Sequence, residues 1–223
     1  RGLVEIPPTT LAGYQVNTPH HQYLYFETVG ISRWASFGNM ILQQNDCLYR
    51  NMYRYNYVIP MDTDEIIMPN KENDWTGLMN SVSKATASES NVTSYGAYMV
   101  MFPHCANASL HEDIPTYMYM LQHVLSDKEM DIWPAPKSFC DTNTTLWLSS
   151  HVAMKGLTGK EGHYRISRDD AELFHYRTKP YKPVVGLCEN LIKHNQINTE
   201  VWKYKESLIN STLTTLYNLG FYN

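Results

Sequence analysis

The stretch "NYVIPMDTDEIIMP", Asn56 to Pro69, decides how this chain is read. Tyr57-Val58-Ile59-Pro60-Met61 is apolar and strand-like, and it runs straight into Asp62-Thr63-Asp64-Glu65. Burying an ionised carboxylate is costly unless a cation or hydrogen bonds compensate. The acids therefore belong where a strand leaves the core, and in open α/β sheets that margin is where ligands bind. In an extended segment residues i and i+2 point to the same side. On that reading Asp62 and Asp64 project together.

Two carboxylates aimed together make a hard oxygen site for Mn²⁺ or Mg²⁺. An ion held by a couple of protein ligands keeps positions free for a diphosphate and neutralises charge as a phosphate leaves. The tripeptide alone is also what a solvated turn looks like, and the strand before it is what favours a site. A helix-loop-helix calcium loop starting at Asp62 would need Gly at its sixth position and Glu at its twelfth. Those positions hold Ile67 and Asn73. An aspartyl-phosphate hydrolase would place Thr or Ser where Ile66 stands.

Around this stretch the composition is that of a folded domain. With 223 residues, 18% of them charged, the chain can enclose one sizeable core. A net charge of −4 without a basic cluster excludes a general nucleic-acid binder. No run approaches the ~20 apolar residues of a membrane-spanning helix. Cys47, Cys105, Cys140 and Cys188 are even in number and lack the paired spacing of a zinc site. With Asn-x-Ser/Thr acceptors at Asn91, Asn107, Asn143 and Asn210, they point to disulfides and an oxidising, lumenal compartment. The 17 tyrosines suit half-buried strands as well as sugar or base stacking.

Periodicity predicts alternating strands and helices, hence an α/β fold. "GLVEI" before Pro7 reads as a strand, and residues 11–33 as loop. Ile41, Leu48, Met52 and Tyr55 share one face of a helix over Asn39–Arg54. Asp46 lies off that face with Arg50 one turn later, the pattern of a surface ion pair. Strands are expected over Tyr57–Met61, Ser94–Phe102 and Glu172–Tyr176, and a helix over Pro115–Leu125. A C-terminal amphipathic helix over Thr199–Leu219, with Trp202, Ile209, Leu213 and Leu216 on one face, stops at Gly220.

"NDCLYRNMYRYNYVIPMDTDEIIMP", Asn45 to Pro69, resembles the signature of glycosyltransferase family 92: a helix with an Asp-Cys pair, an apolar strand, then a D-x-D-E turn and Pro. "AELFHYR", Ala171 to Arg177, is similar to the family's second landmark, and "KSFC" (Lys137–Cys140) and "SSH" (Ser149–His151) fit its pattern between. Phe37-Gly38-Asn39 departs from the family's Tyr-Gly-Gln-like turn.

The resemblance implies a nucleotide-diphospho-sugar transferase fold of the GT-A type, a mixed sheet flanked by helices, with the N-terminal part that grips the uridine missing. It implies a catalytic domain over 1–180 and a helical extension over 181–223 packed on it. It further implies inverting transfer of galactose from UDP-galactose onto a glycan of a glycoprotein or glycolipid. The setting would be the Golgi lumen, with a membrane anchor in the missing region. By position, Asp62 and Asp64 would hold Mn²⁺ and the diphosphate. His175 would be the distal metal or diphosphate contact, with His151 the alternate. Asp46 would frame the nucleotide pocket, and Arg177 would meet the leaving UDP. An inverting transfer also needs a carboxylate base. Glu112-Asp113 supplies one in a loop before a helix, and Asp113 lies nearer the helix. Trp75 and Trp147 are available to stack on the acceptor, or to fill core. Two rival functions use the same residues: a non-catalytic lumenal glycan-binding module, and a phosphohydrolase.

Overall fold

Pro60 stops the first strand of the candidate site early. In the computed structural model, which describes residues 33–89, 91–103, 111–127, 137–159, 162–177 and 195–221, only Tyr57–Val58 is strand (β1). Proline has no N–H to give a ladder and constrains the residue before it. The chain re-enters a sheet at β2, Glu65–Pro69. The expected strand over Tyr57–Met61 is therefore shorter, and Asp62-Thr63-Asp64 form a turn leading into β2 rather than the end of a strand. The period-two argument for Asp62 and Asp64 does not hold in a turn.

The remaining elements are helix α1 (Arg33–Asn51), α2 (Trp75–Ala85), β3 (Val92–Gly96), β4 (Tyr98–Phe102) and α3 (Tyr119–Gln122). Then follow β5 (Leu125–Asp127), β6 (Ser138–Asp141), β7 (Thr145–Leu148), β8 (Ala153–Gly156), β9 (Gly162–Arg165) and β10 (Ala171–Tyr176). β11 (Asn195–Ile197), a 3₁₀ turn (Glu200–Tyr204) and α4 (Lys205–Asn218) complete the chain. The strand expected at "GLVEI", the loop over 11–32, Cys105, Cys188, Asn107 and the boundary near residue 180 lie outside the described residues.

The chain divides into two compact units that interleave along the sequence. The first holds residues up to Pro60, Ser90–Gly96 and Lys137–Tyr164. Its sheet runs β1-β6-β3-β9, beside a β7-β8 hairpin. Leu48 of α1 packs with Cys140, Leu148 and Ala153, and Met52 and Val58 close over them. The helix is anchored by buried Asn45. Its amide donates to Ile41 O and Leu148 O at 2.8 Å and accepts from Leu148 N at 2.9 Å. A buried amide with each of these groups satisfied fixes the register of helix on hairpin. At β9, Gly162 N donates to Asn91 O at 2.8 Å, and a Cβ there would stand 2.5 Å from that oxygen, so only glycine fits.

The second unit holds Met61–Glu89, Ala97–Pro136 and Arg165–Asn223. Its sheet runs β11-β5-β4-β10-β2. Strand β10 is an inner strand, parallel to β4 with Phe174 opposite Val100, and antiparallel to β2 with His175 opposite Glu65. Met68, Val100, Phe102, Phe174 and Tyr176 from these strands form the core with Ile114, Leu121 and Val201. Phe102 stacks on Tyr176 with centroids 4.2 Å apart. Sheets flanked by helices, one of them with mixed strand directions, bear out the α/β expectation.

Several element boundaries differ from expectation. Ser94–Phe102 is two strands, split at Ala97, in two different sheets. The helix expected over Pro115–Leu125 is a single turn, and α1 starts earlier and stops sooner than Asn39–Arg54. Helix α2 was not foreseen; Asp74 caps it, accepting from Gly77 N at 2.8 Å. The C-terminal helix begins as a 3₁₀ turn, and Gly220, at φ 77°, follows its end as expected. Among the described cysteines, Cys47 and Cys140 form no disulfide.

Candidate active site

The turn Asp62–Glu65 is held by its own last residue. Glu65 N donates to Asp62 O at 3.2 Å, while Asp62 N donates to Glu65 Oε2 at 3.2 Å. On the far side Tyr176 N donates to Asp64 O at 2.7 Å, which pins the turn to the end of β10. The antiparallel ladder then sets His175 directly opposite Glu65. Its ring lies between two carboxylates: Nδ1 is 3.4 Å from Glu65 Oε1 and Nε2 is 3.5 Å from Asp64 Oδ2. These are ion-pair separations, longer than well-formed hydrogen bonds. Glu65 and His175 are buried, while the Asp64 side chain is 31% exposed.

The electrostatics follow from that arrangement. Burial pushes the Asp64 carboxyl up, but His175 beside it, the turn's own backbone and the Arg177 charge outweigh burial and hold it below its ordinary value. Asp64 in turn acts on Tyr119 of α3, whose phenol is raised by burial and by that negative charge. Tyr119 donates to Arg177 O at 2.9 Å, and Arg177 N donates to Phe102 O at 2.9 Å. Asp64, Glu65, His175, Arg177 and Tyr119 thus form one charged corner at the end of β10.

The other expected residues make different contacts. Asp62 is exposed on the turn. Asp46 pairs with Arg50 at 2.8 Å with both side chains mostly exposed, the surface ion pair that its spacing suggested. Asp113 is exposed and pairs with Lys205; that hydrogen bond, before the other causes, holds its carboxyl below the usual value. His151 lies in the β7–β8 loop of the first unit. Trp75 is partly exposed, its indole N–H given to Ile67 O at 2.7 Å, and Trp147 of β7 is exposed to a similar degree. Glu65 and Tyr119 were not singled out. The D-x-D-E pattern carried the signal for Glu65, whereas nothing local marks Tyr119 among so many tyrosines.

The model of glycosyltransferase family 92 matches residues 2–213. The chain belongs to glycosyltransferase family 92. No curated protein matches it. Membership makes the protein a glycosyltransferase, with a sugar donor and a glycan acceptor in the general sense.

For this family-92 chain the question is whether the corner fits a divalent ion. Among the described residues no three His, Cys, Asp or Glu side chains converge as a metal-holding group. What is present is a carboxylate–imidazole pair, Asp64 Oδ2 and His175 Nε2, with a buried carboxylate, Glu65, behind the other ring nitrogen. His175 Nδ1 is buried and makes no hydrogen bond. A carboxylate behind a metal-binding histidine orients the ring and raises its basicity. The donor set fits an ion that takes the rest of its ligands from diphosphate and water.

Proposed function

We propose that the protein is a metal-dependent inverting glycosyltransferase on a GT-A type fold. It moves galactose from UDP-galactose onto a glycan in the Golgi lumen. The observation that supports this reading best is His175 set between Asp64 and Glu65 at the end of β10. Asp64 and His175 would hold Mn²⁺, with Asp62 on the same turn. When bound, the ion supplies Lewis-acid neutralisation of the departing diphosphate.

The chain's own residues do the rest. Asp64 stays ionised because His175 and Arg177 outweigh its burial. Arg177, a permanent cation beside Asp64, offers charge to the leaving UDP. Its position is secured by the Tyr119 hydroxyl on its carbonyl. In this reading Asp113 takes the acceptor hydroxyl's proton as that oxygen attacks the anomeric carbon from the far side. Lys205 keeps it in the ionised form a base requires.

The test is a panel of nucleotide sugars against the lumenal protein, with and without Mn²⁺. Transfer from UDP-galactose that needs the ion and disappears in Asp64→Ala is expected. Full turnover in Asp64→Ala, or without any divalent ion, defeats the reading.

A further inference from the structure

We propose that Asn210 carries an N-linked glycan whose first sugars cover an exposed apolar strip of α4, an inference that rests on the lumenal setting proposed above. Helix α4 buries none of its residues fully. Its inward side is Lys205, Ile209, Thr212 and Leu216, all half-buried, with Ile209 packed on the core of the second unit. The next face round the helix is Glu206, Asn210, Leu213 and Tyr217, all exposed. Residues three, four and seven apart lie one above another on a helix. Leu213 is 41% exposed and Tyr217 69%, so the strip presents an apolar surface directly beside Asn210.

Asn210-Ser211-Thr212 is an acceptor sequence. The Asn210 carbonyl accepts from Thr214 Oγ1 at 2.8 Å, and its side-chain amide has no hydrogen-bond partner among the described residues. The contrast with Asn143 is direct, because Asp141 Oδ1 accepts from both Asn143 N and Asn143 Nδ2, at 2.8 and 3.2 Å. At Asn91 the acceptor sequence enters a buried strand, where Thr93 donates to Gly162 O at 3.0 Å. Among the described acceptors, the Asn210 amide alone combines solvent, freedom from neighbours and an aromatic ring two turns away. The apolar face of a sugar stacks well on a tyrosine ring.

The attachment is a group transfer. The Asn210 Nδ2 displaces a polyisoprenoid diphosphate from C1 of the first N-acetylhexosamine of a lipid-linked oligosaccharide. The N–C1 bond forms and the C1–O bond breaks, its electron pair leaving on the diphosphate. One Nδ2 proton goes to the base of the transferring enzyme.

The experiment uses the full-length lumenal protein secreted from animal cells. It is treated with a peptide N-glycosidase in ¹⁸O-water and mapped by mass spectrometry. Conversion of Asn210 to labelled Asp is expected, with loss of one glycan in Asn210→Gln. Native deglycosylation should also raise binding of a hydrophobic dye, an increment that Tyr217→Ser with Leu213→Ser removes. Label at another acceptor asparagine with none at Asn210 overturns the proposal and leaves the lumenal setting standing. No label at any of the four acceptors overturns the setting and the proposal with it. Unchanged dye binding after deglycosylation overturns the shielding.

Discussion

His175 and Glu65 face each other across the β10–β2 ladder, with His175 Nδ1 3.4 Å from Glu65 Oε1 and both side chains buried. The contact exists because of register: a one-residue slip of β2 would send Glu65 to the other face of the sheet. Glu65 has a second task, since Oε2 accepts from Asp62 N and closes the turn that carries Asp64. Glu65→Gln keeps an oxygen for that turn but removes the charge behind the ring. The expected result is Mn²⁺ dependence shifted to higher concentration by about 10–100-fold, with folding largely kept. Calorimetric titration of Mn²⁺ in the presence of UDP reads it, and an unchanged midpoint removes Glu65 from the site.

Asp64 gives a pH signature. Its folded carboxyl sits below the ordinary value, so the contribution to stability is complete above the unfolded value of about 3.9 and is lost as pH falls through the lower folded one. Wild type should therefore exceed Asp64→Asn in denaturant midpoint at neutral pH. The gap should close only below about pH 4. A gap that is already closed at mildly acidic pH contradicts the charge assignment at this corner.

How legible this corner was depends on which residue is asked about. Asp64, His175 and Arg177 could be marked because the resemblance supplied two landmarks, one on each side of a contact distant in sequence. The pairing of Glu65 with His175 could not be read, because nothing local says that β2 and β10 are neighbours or in which register. The strand break at Ala97 was hidden for a related reason. All of β3 and most of β4 is buried or nearly so, and a run buried on both faces has no alternation to reveal where one sheet ends. Helix α2 was missed because Thr76, Gly77, Asn80, Ser81 and Ser83 are poor helix formers. Burial of Leu78, Met79 and Val82 overrides that propensity, and Asp74 at the cap was the available signal.

Asp113 is exposed and tied to Lys205, which makes its role separable from folding. Asp113→Asn should leave UDP binding and thermal stability near wild type, because an exposed pair contributes little. If Asp113 is the base, turnover falls by about 10²–10⁴-fold. Lys205→Met tests the same point from the other side by releasing the carboxylate. Retained turnover in Asp113→Asn takes it off the mechanism.

Cys140 has no exposed surface, and burial pushes its thiol up to about 12. The thiolate is the reactive form, so native protein at pH 8 should leave Cys140 unlabelled by maleimide, and unfolding in denaturant should expose it. Peptide mapping distinguishes it from the other cysteines. Labelling in the native state would mean that the α1–β7 core opens readily.

A buried amide ties the two sides of that core together. Asn45→Ala leaves Leu148 N and Leu148 O without their partner in a buried place. Stranded buried groups cost about 1–3 kcal/mol. Asn45→Asp is the sharper variant, since it can still accept from Leu148 N but meets Leu148 O with a carboxylate in place of a donor. The expected order of denaturant midpoints is wild type, then Ala, then Asp at neutral pH, with the Asp variant recovering as acid protonates its carboxyl and restores a donor. A flat pH response in Asn45→Asp would show that this amide does not hold the helix to the hairpin.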